Sequence, residues 1–155
     1  MSTYTQIIYQ IVFSTWKRES CLHHENRAEL FKYISGIIKN KKSHLYRING
    51  AEDHLHIVTH LHPTVALSDL VKDIKVASSI KIKDTGWFKN FTSWQEGYGA
   101  FTYSIKEKDR LIEYLKNQEE HHKKISFREE FIALLDEHKI EFDEKYLLSS
   151  IYRSP

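Results

Sequence analysis

The order of apolar patterns along the chain constrains its fold more than any single residue does. Runs rich in β-branched and aromatic residues predict strands, and apolar residues recurring every three or four positions predict helices. Six segments follow these rules in turn: strands over residues 4–13, 44–48, 53–61 and 99–104, and helices over residues 24–39 and 67–82. This β-α-β-β-α-β order is typical of the split βαβ arrangement. We therefore predict an α+β, ferredoxin-like or RRM-like fold, in which a four-stranded antiparallel sheet carries two helices on one face and leaves the other open.

Local signals mark the hairpin turn and two further helices. Asn49-Gly50, between the two middle strands, is a strong turn signal, and the turn can extend a few residues further, to Glu52. Residues 106–122 predict a third helix, and residues 126–137 a fourth that begins with a capping box of Ser126 and Glu129. No repeat divides the chain, so we predict one domain over residues 1–155, with a core over 1–105 and a C-terminal helical tail over 106–155.

Composition excludes several classes of protein. A chain of 155 residues with 41% apolar and 28% charged residues fits one compact domain and not a disordered one. No segment approaches the roughly 18 apolar residues of a membrane span, and the N-terminus lacks a signal-peptide pattern, so we predict a cytoplasmic protein. The single cysteine, Cys21, excludes an intrachain disulfide and a thiolate zinc site. Any metal must therefore be held by imidazole, carboxylate or amide groups.

The basic residues are concentrated in the first part of the chain. The net charge is only +2, but residues 1–90 carry 13 basic and 8 acidic side chains, whereas residues 91–155 carry 10 and 13. Basic clusters can bind nucleic-acid phosphates, although a solvated surface is the alternative for each member. The candidates are Lys41, Lys42, Arg47, Lys72, Lys75, Lys81 and Lys83.

Two histidines share one face of the third predicted strand. Side chains alternate along a strand, so His54 and His56 point one way while Leu55 and Ile57 point to the helices. The histidines are roughly 7 Å apart along the strand, close enough to share a metal ion on the open face. The alternative is a half-exposed pair without a ligand. His60 shares the face but lies about 13 Å from His56, too far for the same ion.

A second pair of candidates lies on the third predicted helix. Tyr114 and Gln118 are four residues apart, which places them side by side on one helix face. The alternatives are a packing aromatic residue and a solvated amide. His121 and His122 follow one turn later, and we expect them to be surface residues.

Together these residues resemble the motifs of a known family. His54-Leu55-His56 followed by Tyr114-x-x-x-Gln118 is similar to the HUH single-tyrosine transposases of insertion sequences that move as single-stranded DNA, which include the REP-associated tyrosine transposases. Further matching segments lie in order along nearly the whole chain: residues 9–15 (YQIVFST), 53–56 (DHLH), 94–101 (WQEGYGAF) and 114–122 (YLKNQEEHH).

The resemblance implies a chemistry and its residues. His54, His56 and Gln118 would hold one divalent ion, Mg²⁺ or Mn²⁺, and Tyr114 would attack a phosphodiester to give a 5′-phosphotyrosine and a free 3′-hydroxyl. The ligand set is neutral, so we expect weak metal binding without DNA. Asp53 would orient an imidazole, or would only close the hairpin. Gln10 departs from the family, whose members often carry histidine there, and this puts the role of that position in doubt.

The resemblance also implies partners. These are single-stranded DNA with hairpin ends and a second copy of the chain, joined through sheet edges, with no organic cofactor and no membrane. Two other functions stay open: a domesticated HUH endonuclease acting on hairpins of host repeats, and a non-catalytic nucleic-acid-binding module of the same topology.

Overall fold

The computed structural model describes residues 2–145 and 147, and its elements follow the predicted order. They are β1 (Ile8–Ser14), α1 (His24–Asn40), β2 (His44–Gly50), β3 (His54–His60), α2 (Leu67–Thr85), β4 (Gly99–Tyr103), α3 (Lys108–Lys116), α4 (Gln118–His121) and α5 (Phe127–Glu137), with short 3-10 turns at Trp16–Arg18 and Ile105–Glu107. The strands form one antiparallel sheet in the order β2-β3-β1-β4. This confirms the predicted α+β class. No helix in the described part of the chain is long and apolar enough to cross a membrane.

The main apolar core lies between the sheet and helices α1 and α2. Leu55 and Ile57 of β3 are fully buried in it, together with Ile34 of α1 and Ile74 of α2. The alternation predicted for the third strand is therefore confirmed: its apolar residues face these two helices. We call this side of the sheet the α1/α2 face.

The opposite side of the sheet, which we call the α3/α5 face, is covered, so the predicted open face is wrong. Leu111 and Leu115 of α3 pack on Ile8 and Val58. Helix α5 packs on Val12 and Phe101 through its own buried apolar residues, Phe127, Phe131, Leu134 and Leu135. The strands carry apolar side chains on this face too, and burying them stabilises the fold. The residues described after α5 form no further helix, and the rest of the predicted helical tail, residues 146 and 148–155, lies outside the described residues.

The predicted hairpin forms, but its turn lies just beyond Asn49-Gly50, where its extension to Glu52 was expected. Strand β2 continues through Gly50, and the chain reverses at residues 51–53. A Cβ atom at Gly50 would collide with the carbonyl oxygen of His54, so glycine permits close approach of the two strands. The amide of Asn49 donates to the carbonyl oxygen of Leu115 at 2.7 Å, which fastens α3 to the sheet. Asn49 thus helps to hold α3 on the α3/α5 face of the sheet.

Candidate active site and metal centre

Strand β3 brings the two predicted histidines together beneath the C-terminal helices. The ring centroids of His54 and His56 are 5.1 Å apart, and both side chains are fully buried. Nδ1 of His54 lies 2.7 Å from Oδ1 of Asp53, and the His54 ring stacks on Phe127 at a centroid distance of 4.3 Å. These contacts fix the ring so that its Nε2 points into the buried space between β3 and α5. Asp53 contacts the imidazole as well as closing the hairpin.

The position that departs from the family, Gln10, contacts the second histidine. Nε2 of Gln10 lies 3.0 Å from Nδ1 of His56, and its Oε1 accepts a hydrogen bond from the Tyr103 hydroxyl at 2.7 Å. An amide can present either a donor or an acceptor, so Gln10 is compatible with either tautomer of His56. Burial lowers the pKa of His56 and outweighs the opposing effect of the nearby Glu130 carboxylate.

The predicted third helix is not continuous, although both of its candidate residues reach the site. Helix α3 ends at Lys116, and the chain bends at Asn117, whose φ and ψ are −97° and 14°. The backbone N–H of Asn117 bonds to the carbonyl oxygen of Tyr114 at 3.3 Å, three residues back, in place of an α-helical bond. The bend carries Gln118 inwards, where it is fully buried with its Oε1 3.0 Å from Nε2 of His54.

The centre of the site is a residue that the sequence analysis missed, Glu130 of α5. Its carboxylate is 2% exposed. Oε1 lies 2.9 Å from Nε2 of His56 and 2.9 Å from Nε2 of His122, and Oε2 accepts hydrogen bonds from the Gln118 amide at 2.9 Å and from the Tyr114 hydroxyl. The capping box at Ser126 correctly predicted α5, but nothing local indicates that this helix covers the histidines.

Burial and the nearby charge of Glu130 both affect the ionisation of the nucleophile candidate, Tyr114. Burial by itself raises the pKa of Glu130, but hydrogen bonds from His122 and His56, together with the electrostatic effect of His56 and His54, lower it well below the usual range, so the carboxylate is ionised. Burial first, and the Glu130 charge second, raise the pKa of Tyr114. In this arrangement the Tyr114 hydroxyl is neutral and donates its hydrogen bond to Glu130.

The donor atoms of this site fit a cation. A carboxylate only accepts hydrogen bonds, so Nδ1 of His54 carries the proton shared with Asp53. Its Nε2 faces Oε1 of Gln118 at 3.0 Å, close to the Glu130 carboxylate. Imidazole nitrogens and amide or carboxylate oxygens are all ligands that divalent ions accept. His54, His56, His122 and Glu130 each offer a ligand atom, and these atoms lie within 4.8 Å of one another.

Of the other three histidines considered above, one lies in the site, one at its rim and one outside it. The prediction that His122 is a surface residue is wrong, because its side chain is only 10% exposed and its ring lies 4.2 Å from that of His54. Nε2 of His121 lies 3.3 Å from the Tyr114 hydroxyl at the rim of the site. His60 is outside the site, where its Nδ1 accepts a hydrogen bond from the backbone N–H of Ile7 at 3.1 Å.

A cleft gives access to the site from the side of α3 and α5. It has a volume of about 260 Å³ and is lined by Gln10, Tyr114, Glu130 and the guanidinium-bearing Arg110, among others. Tyr114 and the cationic Arg110 thus line the same cleft.

Most of the predicted phosphate-binding residues belong to the other side of the molecule. Lys72, Lys75, Lys81 and Lys83 lie on α2, on the α1/α2 face, and Lys41 and Lys42 follow α1, whereas Arg47 lies on β2. Lys41 pairs with Asp73 at 2.5 Å. Nζ of Lys75 donates to the carbonyl oxygens of Gln95 and Gly97 at 2.9 and 2.6 Å, and burial lowers the pKa of Lys75 to about 8. Nucleic-acid binding by these seven residues stays a prediction.

The chain is similar to a known protein family and to solved structures. A family profile described as Transposase IS200 like matches residues 3–118. A candidate transposase from Deinococcus radiodurans has 21% identity and a TM-score of 0.59 over 76% of this chain and 95% of its own. A REP-associated tyrosine transposase bound to a REP hairpin has 16% identity and a TM-score of 0.57 over 79% of this chain and 74% of its own. At these identities the two structures show a shared fold. Among curated proteins no sequence matches the chain.

Proposed function

Since this chain belongs to the IS200-like transposase family, we propose that it cleaves and rejoins single-stranded DNA with Tyr114 as the nucleophile. The observation that carries the proposal is the convergence of four elements on one site: His54 and His56 from β3, Tyr114 from α3, Gln118 from α4 and Glu130 from α5.

The reaction exchanges one phosphoester for another. Oη of Tyr114 bonds to the scissile phosphorus, the bond from phosphorus to the 3′ oxygen breaks, the phenolic proton is lost and the 3′ oxygen is protonated. The products are a 5′-phosphotyrosine and a free 3′-hydroxyl, and the 3′-hydroxyl of another strand can reverse the step without ATP. A free tyrosine hydroxyl is a weak nucleophile, with a pKa near 10, so it needs activation.

We assign His54, His56 and Gln118 to a divalent ion, Mg²⁺ or Mn²⁺. Such an ion supplies Lewis-acid polarisation of a phosphate oxygen and stabilises the leaving oxygen. The chain's own residues position the groups: Asp53 and Phe127 fix the His54 ring, and Gln10 holds the His56 ring. These contacts restrict both rings to the orientation that directs their Nε2 atoms to one point.

We propose single-stranded DNA with hairpin ends as the substrate, supported by the fold shared with a transposase that was solved on a REP hairpin. The cleft beside Arg110 and Tyr114 would admit the strand. A homodimer stays a prediction; β2 and β4 are the edges of the sheet at which a second copy could add.

The deciding experiment is a covalent-adduct assay. Single-stranded oligonucleotides that carry the hairpins flanking the gene, labelled at the 3′ end, are incubated with the protein and Mn²⁺ or Mg²⁺ and separated under denaturing conditions. We expect a labelled protein–DNA adduct with the native chain and none with Tyr114→Phe. Tyr33→Phe, on α1 and away from the site, is the matched control and retains the adduct. An adduct that persists in Tyr114→Phe would overturn the nucleophile assignment, and DNA binding without any adduct would favour a non-catalytic module.

A further inference from the structure

We propose that Glu130 and His122 complete the metal site, Glu130 with an anionic oxygen and His122 with a third imidazole, so that the chain binds its ion before DNA arrives. The inference rests on the proposed function and enlarges its metal site from a neutral ligand set to a charged one. It also assigns a role to two residues that the sequence analysis left out of the site.

The first support is geometric. Oε1 of Glu130 is the point on which three imidazole Nε2 atoms converge, at 2.9 Å from His56, 2.9 Å from His122 and 3.6 Å from His54. The four candidate ligand atoms lie within 4.8 Å of one another. Bonds from such ions to nitrogen and oxygen are about 2.0–2.2 Å long, so small side-chain movements would let one ion reach all four.

The second support is the charge balance. Glu130 is 2% exposed, and in residues 2–145 and 147 the only basic groups within ion-pair distance of it are the imidazoles of His54, His56, His121 and His122. A buried carboxylate is costly unless a positive charge is paired with it. A divalent cation among these groups would provide that charge.

The third support is the position of Gln118. Nε2 of His54 and Oε1 of Gln118 face each other at 3.0 Å, beside the Glu130 carboxylate. A single cation next to Oε1 of Glu130 would lie close to all three groups, so the predicted ligand Gln118 and the added ligand Glu130 would share one ion.

Two consequences follow for the ion. A set rich in imidazole favours Mn²⁺ and later transition ions over Mg²⁺, which prefers oxygen ligands and keeps its water. The negative charge of Glu130 strengthens binding in the absence of a DNA phosphate, so the weak DNA-free binding expected from a neutral ligand set gives way to stable binding. Because Oε2 of Glu130 also accepts the hydrogen bond of Tyr114, one side chain joins the ion to the nucleophile.

The experiment is a titration of metal-free, full-length protein with Mn²⁺ alone, followed by calorimetry and by the electron paramagnetic resonance signal of free Mn²⁺. We expect one ion per chain, and a dissociation constant raised by at least about tenfold in Glu130→Gln, which keeps the shape but removes the charge. Asp136→Asn removes the same charge from an exposed position on α5 and should bind as the native chain does.

A second variant keeps the test decisive if Glu130→Gln does not fold. If circular dichroism shows that Glu130→Gln is unfolded, His122→Gln decides, since its side chain lies at the edge of the site; we expect a severalfold weaker affinity for Mn²⁺. Native affinity in a folded Glu130→Gln, or in His122→Gln when that variant decides, would overturn the inference.

The same titration separates this inference from the proposed function. If His56→Ala loses Mn²⁺ while Glu130→Gln binds normally, the histidine site stands and the enlarged ligand set fails. If the native chain binds no Mn²⁺ without DNA, the inference fails, whereas the Tyr114-dependent adduct assay still tests the nuclease function independently.

Discussion

The two faces of the sheet bury similar strands under helices but use different chemistry. On the α1/α2 face the buried residues form one continuous apolar cluster that includes Leu55 and Ile57 of β3. On the α3/α5 face two smaller apolar clusters flank a buried polar group of His54, His56, Gln118 and Glu130. Alternation along β3 sends neighbouring residues into these two environments. The comparison indicates that one face supplies stability, whereas the other gives up apolar packing to hold the reactive groups.

The largest expected effect is the loss of stability caused by a cavity on the α1/α2 face. Ile57 is fully buried in the apolar cluster, so Ile57→Ala should lower the free energy of unfolding by about 3 kcal/mol through lost burial and a residual cavity. Urea unfolding measures this. Ile80→Ala makes the same chemical change on α2, where Ile80 is 64% exposed, and should cost less than about 0.5 kcal/mol. Equal losses in the two variants would contradict the assignment of stability to this face.

The next effect tests whether the polar face makes the fold sensitive to acid. The pKa of His56 is lowered by burial below its ordinary value of 6.5, so below pH 6.5 the unfolded chain binds a proton that the folded chain resists. Stability therefore falls as the pH drops from 6.5, by up to about 1.4 kcal/mol per pH unit for one proton. The lowered pKa of Glu130 has the same sign and adds a loss below pH 4.5.

The measurement is the free energy of unfolding in urea between pH 7.5 and pH 5, on metal-free protein. His56→Gln should flatten the dependence between pH 6.5 and pH 5. His44→Gln removes an exposed histidine from β2 and should keep the native slope. Unchanged slopes in both variants would mean that the acid sensitivity arises outside the polar face.

The α1/α2 face is also the part of the fold that the sequence predicted best. Its strands and helices repeat apolar residues with a clear period, so Leu55 and Ile57 were correctly placed towards the helices. Local pattern failed where tertiary contacts decide the backbone. Asn49-Gly50 is a strong turn signal, yet Asn49 bonds to Leu115 of α3, β2 continues through Gly50 and the chain reverses only at residues 51–53. The third helix breaks at Asn117 because Gln118 is drawn into the site.

The polar site was predictable only where it lies in local sequence motifs. His54, His56, Tyr114 and Gln118 come from two short motifs, and the structure brings all four together. Glu130 has no such motif: it is one of two adjacent glutamates in α5, and only the packing of that helix distinguishes it from the exposed Glu129. Because we expected this face of the sheet to be open, α5 was not placed over the histidines, and Glu130 was not considered as a ligand.

The smallest expected effect concerns the cap of α5, the helix that covers the α3/α5 face. Ser126 caps α5: its Oγ accepts from the backbone N–H of Glu129 at 3.1 Å, and its own N–H donates to the Glu129 carboxylate at 3.3 Å. Ser126→Ala should cost about 1 kcal/mol in urea unfolding. Because α5 carries Glu130, the same change should also weaken Mn²⁺ binding slightly, by less than Glu130→Gln does. Ser68→Ala, on an exposed position of α2, should change neither quantity. If Ser126→Ala lowers stability while Mn²⁺ affinity stays at the native value, then the apolar contacts of α5 are sufficient to position Glu130 without the cap.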